Sequence, residues 1–151
     1  MNFLEILQEQ IDILQENSVA RIRRAMDNGD WSILTSWRGD ESDEENQKNF
    51  TELKAILRGK SVKYIELEGV GQEEEGPAIE PSLFVIGLSE DEAVQIMKKY
   101  KQFAVVVGKK GSDKGELVEK SGKRTQLGKF TPGQTGEFFS RVKGKPFIFK
   151  R

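Results

Sequence analysis

Ser82-Leu83-Phe84-Val85-Ile86-Gly87-Leu88 is a continuous apolar run, as expected of a central strand buried on both faces. Phe103-Ala104-Val105-Val106-Val107-Gly108 repeats the pattern downstream. Between them, Ser89 predicts a helix N-cap, with Glu92 completing a capping box and Ala93, Ile96 and Met97 turned inward. Just upstream, Val62 to Glu68 alternates strictly and predicts a half-buried strand. Gly69 to Pro77, which contains Glu73-Glu74-Glu75, predicts a polar, solvated loop or hairpin arm.

Further toward the N-terminus, Leu4, Leu7, Ile11 and Leu14 recur at helical spacing, with Asn2 and Glu5 placed as in a capping box. A second helix is expected from Ser18, burying Val19, Ile22, Ala25 and Met26 and ending near Gly29. Trp31 to Trp37 predicts a short strand, and Arg38-Gly39-Asp40 a turn. A helix capped by Ser42, with Glu45 three residues on, then buries Phe50, Leu53, Ile56 and Leu57 and stops at Gly59.

Toward the C-terminus, Lys109 to Gly115 predicts a turn, and Glu116–Glu119 with Arg124–Leu127 a hairpin. Pro132 opens a predicted short helix to about Val142, with Phe138, Phe139 and Val142 as its apolar face. Pro146-Phe147-Ile148-Phe149 closes the chain as an edge strand. The order α, α, β, α, β, β, α, β, β, β, α, β lacks strict βαβ alternation. It predicts a single α+β domain over residues 1–151, with a mixed or mainly antiparallel sheet covered by helices and residues 1–17 as a peripheral N-terminal helix.

With 151 residues and neither cysteine nor histidine, the chain has no disulfide, thiolate or imidazole chemistry open to it. Its acid-bearing N-terminus lacks a basic leader region. No apolar run approaches the ~20 residues a membrane helix needs. The expectation is a cytoplasmic protein without signal peptide or membrane contact. Charge is divided unevenly along the chain. Residues 1–97 carry 9 Lys/Arg against 21 Asp/Glu, a net of −12, and residues 98–151 carry 15 against 4, a net of +11. The acidic excess has ordinary uses in helix N-terminal turns, whereas the basic excess has fewer local explanations. Lys109, Lys110, Lys123, Arg124, Lys129, Arg141, Lys143 and Lys145 are therefore the candidate contacts to nucleic acid or an acidic protein. Balance of the two halves within one molecule, or across a homo-oligomer, is the competing expectation.

Arg38, just past a strand end, is a fork suited to a carboxylate or phosphate. It could instead pair with the acids beside it. Asp40, Asp43, Glu44 and Glu80 have the oxygen chemistry of a Mg²⁺ or Ca²⁺ site, but their spacing matches no known loop, so no metal, cofactor or catalytic set is assigned. The glycines at Gly69-Val70-Gly71 and Gly108-Lys109-Lys110-Gly111 lack the strand-to-helix context of a phosphate loop.

Three stretches carry a family likeness. They are Ile33-Leu34-Thr35-Ser36-Trp37-Arg38-Gly39, the spaced Asn46 and Asn49 with Leu53 and Leu57, and Glu80-Pro81-Ser82-Leu83-Phe84-Val85. Together with Thr135 to Ser140 and Lys143 to Phe149, they resemble a family of small uncharacterised proteins often encoded by bacteriophages and mobile elements. The likeness covers roughly residues 18–151 and implies no transferable function. It directs attention to Arg38, Asn46, Asn49, Glu80 and Ser82 as polar residues that could converge on a small anionic or nucleotide-like ligand, or form a buried hydrogen-bond network. The sequence thus predicts a non-catalytic, phage-type accessory module binding through its basic C-terminal third. The alternative is a small-ligand protein or metal-dependent enzyme centred on Arg38 and its neighbouring carboxylates.

Overall fold

Helices α1 (Phe3–Ala25), α2 (Asp43–Gly59) and α3 (Glu90–Lys99) accompany eight strands. The strands are β1 (Trp31–Leu34), β2 (Lys63–Glu73), β3 (Gly76–Ile86), β4 (Ala104–Gly108), β5 (Lys114–Glu119), β6 (Arg124–Pro132), β7 (Phe138–Val142) and β8 (Lys145–Lys150). These come from a computed structural model describing residues 2–73, 76–136 and 138–151. Glu74, Glu75 and Glu137 lie outside the described residues, as do the side chains of Ile11, Ile13, Leu14, Glu73 and Phe138.

The strands close into a barrel in the order β1-β3-β2-β7-β8-β6-β5-β4, with β4 pairing back onto β1. Each pairing is antiparallel. This overturns the expected α+β sheet covered by helices: the sheet is curled on itself and strands dominate the chain. An eight-stranded barrel has an interior just wide enough to be filled by side chains, and the period-2 alternation of each strand supplies them. Trp31, Ile33, Ile65, Leu67, Phe84, Val106, Phe130, Val142, Phe147 and Phe149 share one cluster. The Trp31 indole lies between Phe84 and Phe149, with ring centroids 5.6 and 5.5 Å away. Its Nε1 donates to the Ser112 carbonyl at 3.0 Å. The indole lies so close to Gly108 that a Cβ there would overlap it. Val19, Ile22, Ala25 and Met26 on the last turns of α1 join the same cluster and close one mouth of the barrel.

The opposite faces of β1, β3, β4 and β5 carry Leu34, Leu83, Val85, Val105, Val107 and Val118. These pack outside the barrel against Phe50, Leu53 and Leu57 of α2 and Ala93, Ile96 and Met97 of α3. Residues 82–85 are therefore buried on both faces, by the barrel interior on one and by two helices on the other. The caps follow the sequence. Asn2, Ser42 and Ser89 accept from the backbone N–H of Glu5, Glu45 and Glu92, and the box at Ser89 and Glu92 is reciprocal.

Three local expectations fail. No break occurs at Ser18, and α1 runs on as one helix. Of the two readings of residues 69–77, the hairpin arm holds for the described residues: β2 and β3 pair from Lys63↔Ile86 to Glu73↔Gly76, and β7 covers Glu68–Gly71 from the other side. Pro77 and Pro81 fit because β1 pairs only with residues 83–86 of β3, so the prolines need no second ladder. The helix expected up to Val142 is instead strand β7, joined to β8 by the two-residue turn Lys143-Gly144, where both φ angles are positive. The edge role given to Pro146–Phe149 also fails, because β8 is paired on both sides, by β6 and β7.

Candidate functional site

Asn46, buried on the first turns of α2, explains the geometry around Arg38. Its Oδ1 accepts from the Arg38 backbone N–H and its Nδ2 donates to the Arg38 carbonyl, both at 2.8 Å. The turn after β1 is thereby clamped to α2. The Arg38 guanidinium makes a two-pronged pair with Asp40, Nε to Oδ1 at 2.8 Å and Nη2 to Oδ2 at 2.5 Å. That hydrogen bond holds the Asp40 carboxyl below its ordinary range. Arg38 and Asn46 are thus brought together through the backbone, and the fork of Arg38 is occupied by its neighbour. Asn49 is half-buried one turn further along α2. Glu80 and Ser82 lie on β3, opposite Gly69 and Leu67 of β2. Ser82 is buried, and its Oγ has no hydrogen-bond partner among the described residues. Among the described residues no three acids gather as metal ligands, so Asp40, Asp43, Glu44 and Glu80 do not form such a group.

The basic residues separate into two kinds. Arg124 on β6 is neutralised: its guanidinium pairs with Glu90 at the start of α3, with bonds of 2.8 and 3.0 Å, and with Glu116 on β5. Arg141 on β7 pairs with Glu68 on β2 at 2.9 Å. These two arginines tie neighbouring elements together.

The lysines on β5, β6 and β8 differ. Lys114 lies directly opposite Lys129, and Lys129 directly opposite Lys150. Each is exposed and none has an ion pair among the described residues. Their outward direction follows from the alternation: Gly115 lies beneath the Phe149 ring, and Phe130 and Phe149 point into the barrel. Adjacent strands lie about 4.8 Å apart, so the three Cα positions span about 10 Å. Like charges directly opposite one another destabilise a sheet. Lysines can be placed to protect a sheet edge, but this barrel is closed and these strands are not edges. Lys109 and Lys110 lie in the turn between β4 and β5, where Asp30 Oδ1 accepts the Lys110 backbone N–H at 2.9 Å. Lys123 sits in the turn between β5 and β6, at the far end of that hairpin. Lys143 and Lys145 border separate surface hollows near Tyr64 and α1. Of the eight candidate cations, Lys129 lies in this row and Lys109 lines a cleft with Lys114; Lys114 and Lys150 belong to the same basic C-terminal third but are not among the eight. The cross-strand register that aligns these two with Lys129 is a long-range property.

Beside this face lies a cleft of about 340 Å³ between the N-terminus of α3 and the outer wall of β1, β4, β5 and β6. Asp30, Glu90, Glu116, Lys109, Lys114 and Arg124 line it, equal numbers of each sign. Ser32, also in the lining, is buried, and its Oγ has no hydrogen-bond partner among the described residues.

Residues 39–105 match a protein family described as "Protein of unknown function (DUF3293)". The matched stretch runs from the turn after β1 through α2, β2, β3 and α3 into β4. Over that part the chain is similar to an uncharacterised family; the match says nothing of a phage or mobile-element setting. The lysine-bearing strands lie outside it. Comparison with curated proteins gave no match.

Proposed function

We propose that this barrel is a non-catalytic binding module that holds nucleic acid by its phosphate backbone, through the row built by Lys114, Lys129 and Lys150, with Lys109 and Lys110 in the turn before β5 as further contacts. The observation that carries this reading is the unpaired lysine row across three strands. A row of like charges costs stability in the free protein and is relieved when phosphates lie along it. Lysines act as mobile point charges and suit a backbone contact that ignores sequence. The ring faces of Phe130 and Phe149 are turned inward, so this wall offers no aromatic platform for bases. Binding is therefore expected to be sequence-independent and to fall steeply with salt. A cytoplasmic location belongs to the proposal because nucleic acid must be accessible there. A phage or mobile-element setting rests on the sequence resemblance alone. The test is titration of labelled DNA and RNA at two salt concentrations; absence of binding at low salt refutes the reading.

A second reading rests on the cleft beside α3. Its balanced charges and the unpartnered Ser32 hydroxyl suit a small polar molecule bearing both signs of charge. This moves the small-ligand alternative from Arg38 to Arg124. A thermal-shift screen with zwitterionic metabolites tests it, and Arg124→Gln should abolish any shift found.

A further inference from the structure

Residues directly opposite each other in an antiparallel ladder share a face of the sheet. Lys145 lies opposite Val142, and Val142 belongs to the cluster inside the barrel. The first residue of β8 is therefore a lysine on the inward face, at the barrel rim. Pro132 lies opposite Phe147 and Phe130 opposite Phe149, and both of these partners belong to the same interior cluster. Three inward positions, Phe130, Pro132 and Lys145, thus meet at the mouth that α1 closes.

The closure is incomplete there. Ile22, Ala25 and Met26 join the interior cluster, but Val19, Ala20 and Arg23 face Phe130, Pro132 and Lys145 across a groove of about 570 Å³. Its lining is mostly apolar, and among the described residues no acid belongs to it. Of its two cations, Arg23 is engaged, with Asp27 at 3.2 Å and Asp113 at 3.9 Å. Lys145 is half-buried and has no ion pair among the described residues. A partly desolvated cation in an apolar groove favours an anion beside it.

We propose that this groove binds a small apolar molecule carrying one carboxylate, with the apolar body between α1 and Phe130 and the carboxylate on the Lys145 ammonium. Small-molecule sites run to about 300–1,000 Å³, are mostly apolar with a few placed polar groups, and are common at the mouths of β-barrels. Burial of the apolar body supplies the attraction, and the charge-assisted bond to Lys145 selects the sign of the polar end. The site shares no residue with the lysine row or with the cleft beside α3, so it stands apart from both functional readings. The competing role for Lys145 is to carry its ammonium out to water along its apolar stem. In that case the groove would not distinguish an acid from an alcohol.

The test is titration of the full chain with octanoate, octan-1-ol and octyltrimethylammonium, each followed by amide NMR spectra. Octanoate should bind saturably and shift the amide signals of Val19, Ala20, Phe130 and Gly133, which line the groove. Octan-1-ol should bind about tenfold more weakly or less, and octyltrimethylammonium should leave these signals in place. Lys145→Met keeps the stem and removes the charge, so it should weaken octanoate about tenfold and leave octan-1-ol unchanged. Ala20→Trp fills the groove from an exposed position and should abolish binding of both, with circular dichroism verifying the fold. No saturable binding of octanoate overturns the proposal. Binding that survives Ala20→Trp overturns the location, and equal affinity for octanoate and octan-1-ol overturns the role of Lys145.

Discussion

Lys129 stands directly opposite Lys114 in the β5–β6 ladder, and its other flank meets Lys150 on β8. The same juxtaposition that costs the folded barrel stability supplies its proposed binding face. Stability and binding should therefore move in opposite directions at this position. Lys129→Glu replaces two repulsive cross-strand pairs with two attractive ones. It should raise stability by about 0.5–2 kcal/mol at low salt, with the gain shrinking as salt screens it. Urea denaturation at two ionic strengths measures this. A destabilised variant would show that the lysines do not repel.

The Trp31 indole packs directly on Gly108 in the barrel interior. Because a Cβ at residue 108 would overlap the indole, Gly108→Ala should cost about 1–3 kcal/mol through overpacking. Trp31→Ala should cost about 3–5 kcal/mol by leaving a cavity between Phe84 and Phe149. Chemical denaturation checks both, and near-wild-type stability for Gly108→Ala would contradict the packing described.

Asn46 has a structural role. Asn46→Ala removes both bonds to the Arg38 backbone and leaves buried polar groups unpaired, at a cost of about 1–3 kcal/mol. Nucleic-acid affinity of the folded variant should be unchanged. A drop in affinity with stability intact would give Arg38 and Asn46 a direct part in binding.

Stability should fall at both pH extremes. The carboxyl of Glu90 is held low by its hydrogen bond to Arg124, that of Glu92 by Lys60, and that of Glu52 by Tyr100. Folded-state values below the unfolded ones give stability that is present above about pH 4.5 and is lost as pH falls through the depressed values. Tyr100 shifts the other way, raised first by burial and then by donating to Glu52 at 2.8 Å. Its contribution is complete below about pH 10 and is lost as pH rises beyond it. Glu90→Gln should flatten the acid limb and Tyr100→Phe the alkaline limb of a stability–pH profile. Unchanged limbs would contradict these pairings.

What the sequence revealed is what is encoded locally. The caps at Asn2, Ser42 and Ser89 depend on residues three apart, and the burial of Leu83–Val85 on both faces is visible as an unbroken apolar run. Closure of the barrel is not local. It requires β1 to pair with β4 and β2 with β7, pairings that leave no periodic trace. The stretch ending at Val142 went astray because a few apolar residues do not distinguish a short helix from a strand; Gly144, supporting the tight turn to Lys145, was the available clue. The candidate site was legible only as composition. The excess of lysine in the last third was plain, but separating neutralised Arg124 and Arg141 from unpaired Lys114, Lys129 and Lys150 required the strand register.

The central claim is that the lysine row binds phosphates. Its most direct test is the affinity of the wild type and of the triple variant Lys114→Gln/Lys129→Gln/Lys150→Gln for one mixed-sequence DNA duplex across a salt series. If the row holds the backbone, the variant binds more weakly at low salt, and its slope of log affinity against log salt is smaller in magnitude by about 3, one for each phosphate no longer neutralised. Equal affinity and equal slope in the two proteins would contradict the account.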